Sequence, residues 1–300
     1  ENDNFDWLYP DGKKDITPLI SIPNNYSPPT GKRLYITNLF SSYEGLHIDS
    51  SYSTISFSFS GVIEPYIIPS DKIISYIEVK GAKGGKSTNW NSEGGLGAMM
   101  SGYFQLTEGK QLKILVGQAG QDNTYDGGGG GGTFVTLSDN TPLIIAGGGG
   151  GGSASSYSGS GQMNANSNTN GFSTSWANGG NNGSGGGGYS YAGGGGGLNG
   201  SGTGAWEGYS FISGGTGGDA SGYSGTANGG FGGGGGGGGS NGAGGGGGYS
   251  GGAASPWSYP GGGGGSYNSG SNQNNQQAIT TSDGNGSVLV HLNSITNAGF

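Results

Sequence analysis

The sequence predicts an all-β chain with two parts: a small N-terminal β domain over residues 16–75 and a glycine-rich β module over residues 76–292. Three observations predict it. Short segments rich in β-branched and aromatic residues recur between Gly-, Pro- and Asn-containing turns, and no stretch has a helical period. Glycine runs of similar length return again and again, at 127–132, 147–152, 185–188, 193–197, 232–239, 244–248 and 261–265. After all of them the chain closes on GSVLVHL (286–292), an apolar strand for which a disordered tail has no use.

Taken in order, ENDNFDWLYPDGKKD (1–15) is a polar arm, either flexible or docked on a neighbouring subunit. PLISIP (18–23), KRLYITNLF (32–40) and STISFSFSGVI (53–63) read as strands. They are separated by the turn-rich NNYSPPTG, SSYEG and EPYIIPSD. SYIEVKGAKGG (75–85) is a strand running into a glycine turn. GAMMSGYFQLTEGKQLKILVGQAGQ (97–121) reads as two strands joined at TEGK (107–110). GGTFVTLSDNTPLIIAGG (131–148) is a hairpin turning near residues 138–140. Strands are therefore expected over 76–146 and 286–292, with a short tail at 293–300.

The glycine runs decide the rest. Glycine loses more backbone entropy on ordering than any other residue, about 1–2 kcal/mol per residue, and a pure run buries no side chain to offset it. By composition alone such a tract is a flexible linker. The ordered alternative is a bundle of polyglycine II helices, with three residues per turn and a rise of about 3.1 Å per residue. These helices have no internal hydrogen bonds, so their N–H and C=O groups point outward and neighbours satisfy one another. Without Cβ atoms the backbones also come close enough for Cα–H···O contacts. The design needs several runs of similar length lying side by side, and a bundle is expected over about residues 147–270. GGFGGGGGGGGSNGAGGGGGYSGG (229–252) then reads as an antiparallel pair turning at 240–243, with Phe231 and Tyr249 as anchors at the bundle edge.

Charge narrows the function. The chain carries 10 Lys and Arg against 18 Asp and Glu, a net charge of -8, and 78 of its 300 residues are glycine. Every cation lies at or before Lys113. Beyond it the only charges are Asp122, Asp126, Asp139, Glu207, Asp219 and Asp283. Nucleic acid and anionic membranes require cations, so neither is an expected partner. No apolar stretch is long enough to span a bilayer. There is no cysteine, hence no disulfide, thiolate nucleophile or Cys-bound metal. A chain opening on Glu1 fits a removed leader or an excised fragment.

Groups able to do chemistry are scarce. His47 and His291 are the only histidines. The His and Asp of HIDS (47–50) do not make a triad, and His291 in VLVHL reads as a strand residue. Chance Gly-x-Gly-x-x-Gly matches carry no weight without a following helix. GGTGGDAS (214–221) resembles one turn of a calcium-binding repeat but has no tandem neighbour, and SDGNGS (282–287) is better read as a turn. No catalytic residue, cofactor or metal is expected. The aromatics at the glycine runs have two readings: they cap the bundle ends and seal its sides, or some of them form an exposed surface with Ser and Asn for a glycan or protein partner. Trp206, Tyr209, Trp257 and Tyr259 are the candidates.

Residues 76–292 resemble the glycine-rich extracellular domain of the anaplastic lymphoma kinase and leukocyte tyrosine kinase receptors. LKILVGQAGQD (112–122), GGGGGGTFVTLSDNTPLIIAGGGGGG (127–152), GGFGGGGGGGGSNGAGGGGGYSGGAAS (229–255) and the closing GNGSVLVHL (284–292) carry the likeness. It implies a β-sandwich-like module with an inserted polyglycine II bundle. It does not imply a kinase, and the receptor domains' disulfides have no counterpart here. Polyglycine II bundles also occur in phage tail-fibre adhesins, and similar glycine-rich domains in microbial surface proteins, to which PPTGKRLYITNLF (28–40) bears a looser resemblance. The expectation is a non-enzymatic extracellular structural or adhesive protein, such as a fibre subunit, surface adhesin or tail-fibre tip, that self-associates or joins other fibre subunits. A receptor-like soluble ligand-binding module and a disordered glycine-rich structural protein are the alternatives.

Overall fold

A computed structural model describes residues 46–153, 160–239, 242–256, 259–279 and 281–297. The expected polar arm, the PLISIP and KRLYITNLF segments and Trp257 lie outside the described residues. Within them the chain is nearly all β. The strands are β1 (Leu46–Phe57), β2 (Glu64–Ile67), β3 (Lys72–Lys80), β4 (Gly97–Thr107), β5 (Gln111–Leu115), β6 (Thr133–Leu137), β7 (Pro142–Ala146), β8 (Tyr267–Asn268), β9 (Ser271–Ile279) and β10 (Ser287–Asn297). The helical pieces are one short turn, α1 (Ser160–Met163), and a 3-10 turn at Phe211–Ser213. No helix among the described residues is long and apolar enough to cross a membrane.

Two five-stranded antiparallel sheets form a sandwich-like core, in the orders β1-β10-β3-β4-β9 and β2-β5-β6-β7-β8. Inward-facing apolar residues of both sheets drive the packing. Val288, Val290 and Leu292 of β10 and Ile74, Ile77 and Val79 of β3 face Leu112, Ile114, Val135 and Ile144 of the second sheet in one buried cluster. The 75/76 boundary expected from the sequence falls inside β3, and β1 pairs with the closing strand β10. Residues 46–75 therefore contribute strands to the same two sheets as the later residues. β4 and β5 are joined at Glu108–Gly109, as the TEGK turn predicts, but they enter different sheets, with Gly109 at φ +75° reversing the chain. The β6–β7 turn lies at residues 138–141, where Asn140 adopts φ +71° and donates its N–H to Leu137 O at 3.0 Å.

Three elements depart from the sequence reading. EPYI, read as part of a turn, is β2, and its Pro65 is tolerated because β2 is an edge strand that needs only one set of ladder bonds. β9 (SNQNNQQAI) is exposed from Ser271 to Ala278 and is held by its backbone pairing to β4, so it has no apolar pattern to betray it. β10 continues to Asn297, through most of what reads as a tail.

Glycine segments grow from the strand ends. Residues 81–85 follow β3, 117–121 follow β5, 127–132 lead into β6, 147–152 follow β7 and 261–265 lead into β8. Their hydrogen bonds run between segments with a period of three. Gly127 and Gly130 donate to Gly152 and Gly149; Gly128 and Gly131 to Gln121 and Gln118; Gly129 and Gly132 to Gly235 and Gly232, all at 2.8–3.0 Å. In return, Gly244 and Gly247 donate to the carbonyls of Gly127 and Gly130, Gly85 and Ala82 to those of Gly128 and Gly131, and Gly230 to that of Gly129. Segment 127–132 thus has a neighbour on every side. Segment 244–248 repeats the pattern, donating to 127/130, to 193/196 and, with Tyr249, to 262/265. The array therefore extends outside the expected 147–270, and one of its most enclosed segments precedes that range. Segments 232–239 and 244–248 lie antiparallel, with Gly235 N–H on Gly245 O and Gly238 N–H on Gly242 O.

Candidate functional site

The hydrogen-bond register sorts the turns of the glycine region into two ends. At the sandwich end, Leu198 and Phe211 come down on Leu115, Phe134 and Ile145 of the second sheet, and Phe231, Tyr249 and Tyr267 pack around them. Phe134 stacks on Phe211 with ring centroids 5.0 Å apart, and Tyr249 on Tyr267 at 4.9 Å. The two residues expected as bundle-edge anchors thus lie at this junction.

The opposite end collects the loops around residues 86–94, 122–126, 173–178, 189–192, 204–206, 219–226, 255–256 and 259–260. Gly236 donates to Trp206 O, Asn123 Nδ2 to Gly225 O and Thr174 Oγ1 to Ala254 O, which ties neighbouring loops together. Asp126 is the buried post of this end. Its carboxylate accepts Ser153 Oγ–H and the N–H of Gly242, the latter at 3.0 Å, joining three loops distant in sequence. A carboxyl group so buried is tolerable only when it is hydrogen-bonded in this way.

Aromatic side chains crowd this end. Trp206 lies between Tyr191 and Tyr223, with centroids at 6.4 and 5.4 Å. Tyr191 is 56% and Tyr223 66% exposed. Trp90, Tyr125 and Trp176 are also exposed. Trp176 and Tyr259 meet at 4.5 Å beside a pocket of about 140 Å³ that Thr174, Ser255 and Pro260 help to line. Of the sequence candidates, then, Trp206 and Tyr259 share this end but belong to separate ring clusters. Tyr209 lies on the flank of the array, exposed, on the segment descending from Trp206 to Phe211. Trp206 holds φ +57°, a backbone region that bulky residues rarely adopt.

Sequence reasoning passed over Trp90, Tyr125 and Trp176. The available signal was the same that marked Trp206: each sits in a short connector between two glycine segments. The charges of this end are mostly acidic. Lys86 is paired with Glu93 at 2.7 Å, and its N–H is accepted by Asp122 at 2.7 Å. Hydrogen bonds from Ser221 hold the exposed Asp219 carboxyl below the usual range. No cluster of three His, Cys, Asp or Glu suited to a metal ion occurs among the described residues. What this surface offers chemically is rings, hydroxyls and amides, suited to stacking and hydrogen bonding. No protein-family model matches the chain, and no curated protein matches it.

Proposed function

We propose that the chain is a non-enzymatic extracellular structural or adhesive protein. Its glycine segments are polyglycine II helices, bundled into a stiff scaffold that displays the aromatic loops at the end away from the sandwich. The period-three hydrogen bonding around residues 127–132 carries this reading, because three residues per turn with wholly lateral bonding is the signature of that helix. The resemblance to glycine-rich extracellular domains and tail-fibre adhesins agrees with it. An uncharged, backbone-bonded scaffold suits rigidity and protease resistance outside cells. The exposed rings of Trp90, Trp176, Tyr191 and Tyr223, flanked by Ser, Thr and Asn, suit a neutral glycan or an uncharged protein face, and the acidic surroundings disfavour anions.

Two measurements test it. Negative-stain microscopy across concentrations is expected to show rods or filaments; monodisperse globules at every concentration would move the protein to the receptor-like, ligand-binding class. On a glycan array, wild-type protein is expected to bind neutral glycans and the Trp176→Ala, Tyr223→Ala double variant to lose that binding. Ring-stacking contacts are worth about 0.5–1.5 kcal/mol each, so losing two rings should weaken binding roughly ten-fold or more. Equal binding by the double variant refutes the aromatic end as the recognition surface.

A further inference from the structure

A second surface lies at the sandwich, on the far side of the glycine array from the aromatic loops. On the outer face of the second sheet Leu115, Phe134 and Ile145 are buried under Leu198, Phe211 and the residues packed around them. Where that cover stops, a cleft of about 380 Å³ opens between β2, β5 and the 3-10 turn. Ile63, Pro65, Phe211 and Ile212 give it an apolar wall, with Ile212 half exposed. Gln111, Lys113 and Asn140 stand on its polar side.

The polar side has a particular electrostatic state. Pro65 and Lys113 are register partners, which fixes the lysine stem on the cleft face. The Lys113 ammonium donates to Asn140 Oδ1 at 2.8 Å. That partner is a neutral amide, and neither ion pair found among the described residues involves Lys113. Because Asn140 Oδ1 accepts from the lysine, the Asn140 NH2 is left to donate elsewhere. Asp139 is the nearby acid. Its carboxyl is exposed and engaged by the Thr141 N–H at 2.9 Å, with Lys113 adding a smaller attraction from a distance. The cleft therefore combines an ammonium with two of its three protons uncommitted to Asn140, two side-chain amides and a wall of four apolar residues. It also holds the last cation in a chain of net charge -8.

We infer that this cleft binds a small carboxylate carrying an apolar or aromatic body, the carboxylate on Lys113, Gln111 and Asn140 and the body against Ile63, Pro65, Phe211 and Ile212. Charge complementarity selects the anion, since an ammonium whose close partner is a neutral amide keeps two protons for a carboxylate, and the apolar wall rejects fully hydrated anions. The inference stands apart from the recognition surface at the aromatic loops, and the two tests fail independently.

The test is an NMR titration of the full chain with phenylacetate and with hexanoate, against phenylacetamide and inorganic phosphate as controls. Saturable shifts of the Ile63 and Ile212 methyls and of the Gln111 and Asn140 side-chain amides are expected with both carboxylates. Phenylacetamide is expected to bind at least about five-fold more weakly, as loss of one charge-assisted contact implies. Lys113→Met should weaken phenylacetate by about ten-fold or more. Asn140→Asp keeps a residue that tolerates the left-handed turn and pairs the ammonium internally, so it should produce a similar loss even if the lysine variant folds poorly. The inference is overturned by any of three results: no saturable shift, acid and amide bound equally, or both variants binding like wild type. Phosphate binding as tightly as phenylacetate overturns it as well, by showing an anion patch without an apolar selector.

Discussion

Replacing Gly129 with alanine tests whether the glycine array is a packed solid or a loose set of loops. A Cβ at Gly129 would lie 2.0 Å from Gly245 O and 2.5 Å from Gly245 C. Comfortable contact is about 3.5 Å, so segments 127–132 and 244–248 must separate by roughly 1 Å or more. Both are enclosed, and separation strains the bonds from Gly129 to Gly235, from Gly230 to Gly129 and from Gly235 to Gly245, now 2.8–2.9 Å. Leaving two or three buried backbone groups unsatisfied, at about 1–3 kcal/mol each, gives a loss of about 2–9 kcal/mol. The unfolded-state benefit of alanine over glycine, about 0.4–1 kcal/mol, offsets little of it. The matched control is Gly222→Ala in an exposed loop, where a Cβ meets nothing within 4 Å. That variant should be neutral or stabilised by up to about 1 kcal/mol. Urea denaturation of both proteins measures the difference, with amide exchange at residues 244–248 as a local readout. A Gly129→Ala protein within about 0.5 kcal/mol of the Gly222→Ala protein would falsify the close-packed reading.

Asp126→Ala should cost about 2–4 kcal/mol, because Ser153 Oγ–H and the Gly242 N–H both lose their buried acceptor. Exchange at Gly242 should accelerate more than exchange at the β10 amides, and equal acceleration at both would count against a local post. His291 sits against the Tyr52 and Tyr76 rings, at 3.9 and 4.8 Å, and burial lowers its pKa from 6.5, opposed by the Glu78 charge. With the folded value depressed, the unfolded chain binds the proton more readily. Stability from this group is therefore full above about pH 6.5 and is lost as pH falls through the folded value. His291→Gln should flatten that acid limb in denaturation curves taken from pH 8 to pH 5; an unchanged limb assigns it to other groups.

The strands with an apolar alternation were readable from the sequence because burial on one face of a sheet imposes a period of two. The second half of β3 and the core of β10 carry that mark, whereas β6 and β7, buried on both faces, read as short apolar runs bounded by turn signals. β9 carries none, since its place depends on β4 offering a backbone edge, and β2 hides behind a proline that only an edge position permits. The candidate site divides in the same way. The sequence placed aromatics between glycine runs, which is how Trp206 and Tyr259 stood out, and by the same rule Trp90, Tyr125 and Trp176 qualify.

By itself the sequence determined that the backbone, freed of side chains over repeated runs of similar length, was able to pack against itself, and that the chain must return to a sheet at β10. Only the tertiary structure decided which run touches which, and so which connectors share an end. A glycine has no side chain to encode its partner. The register of segment 127–132 is set instead by β6, which it leads into, and that of 244–248 by anchors such as Tyr249 and, through Gly242, Asp126.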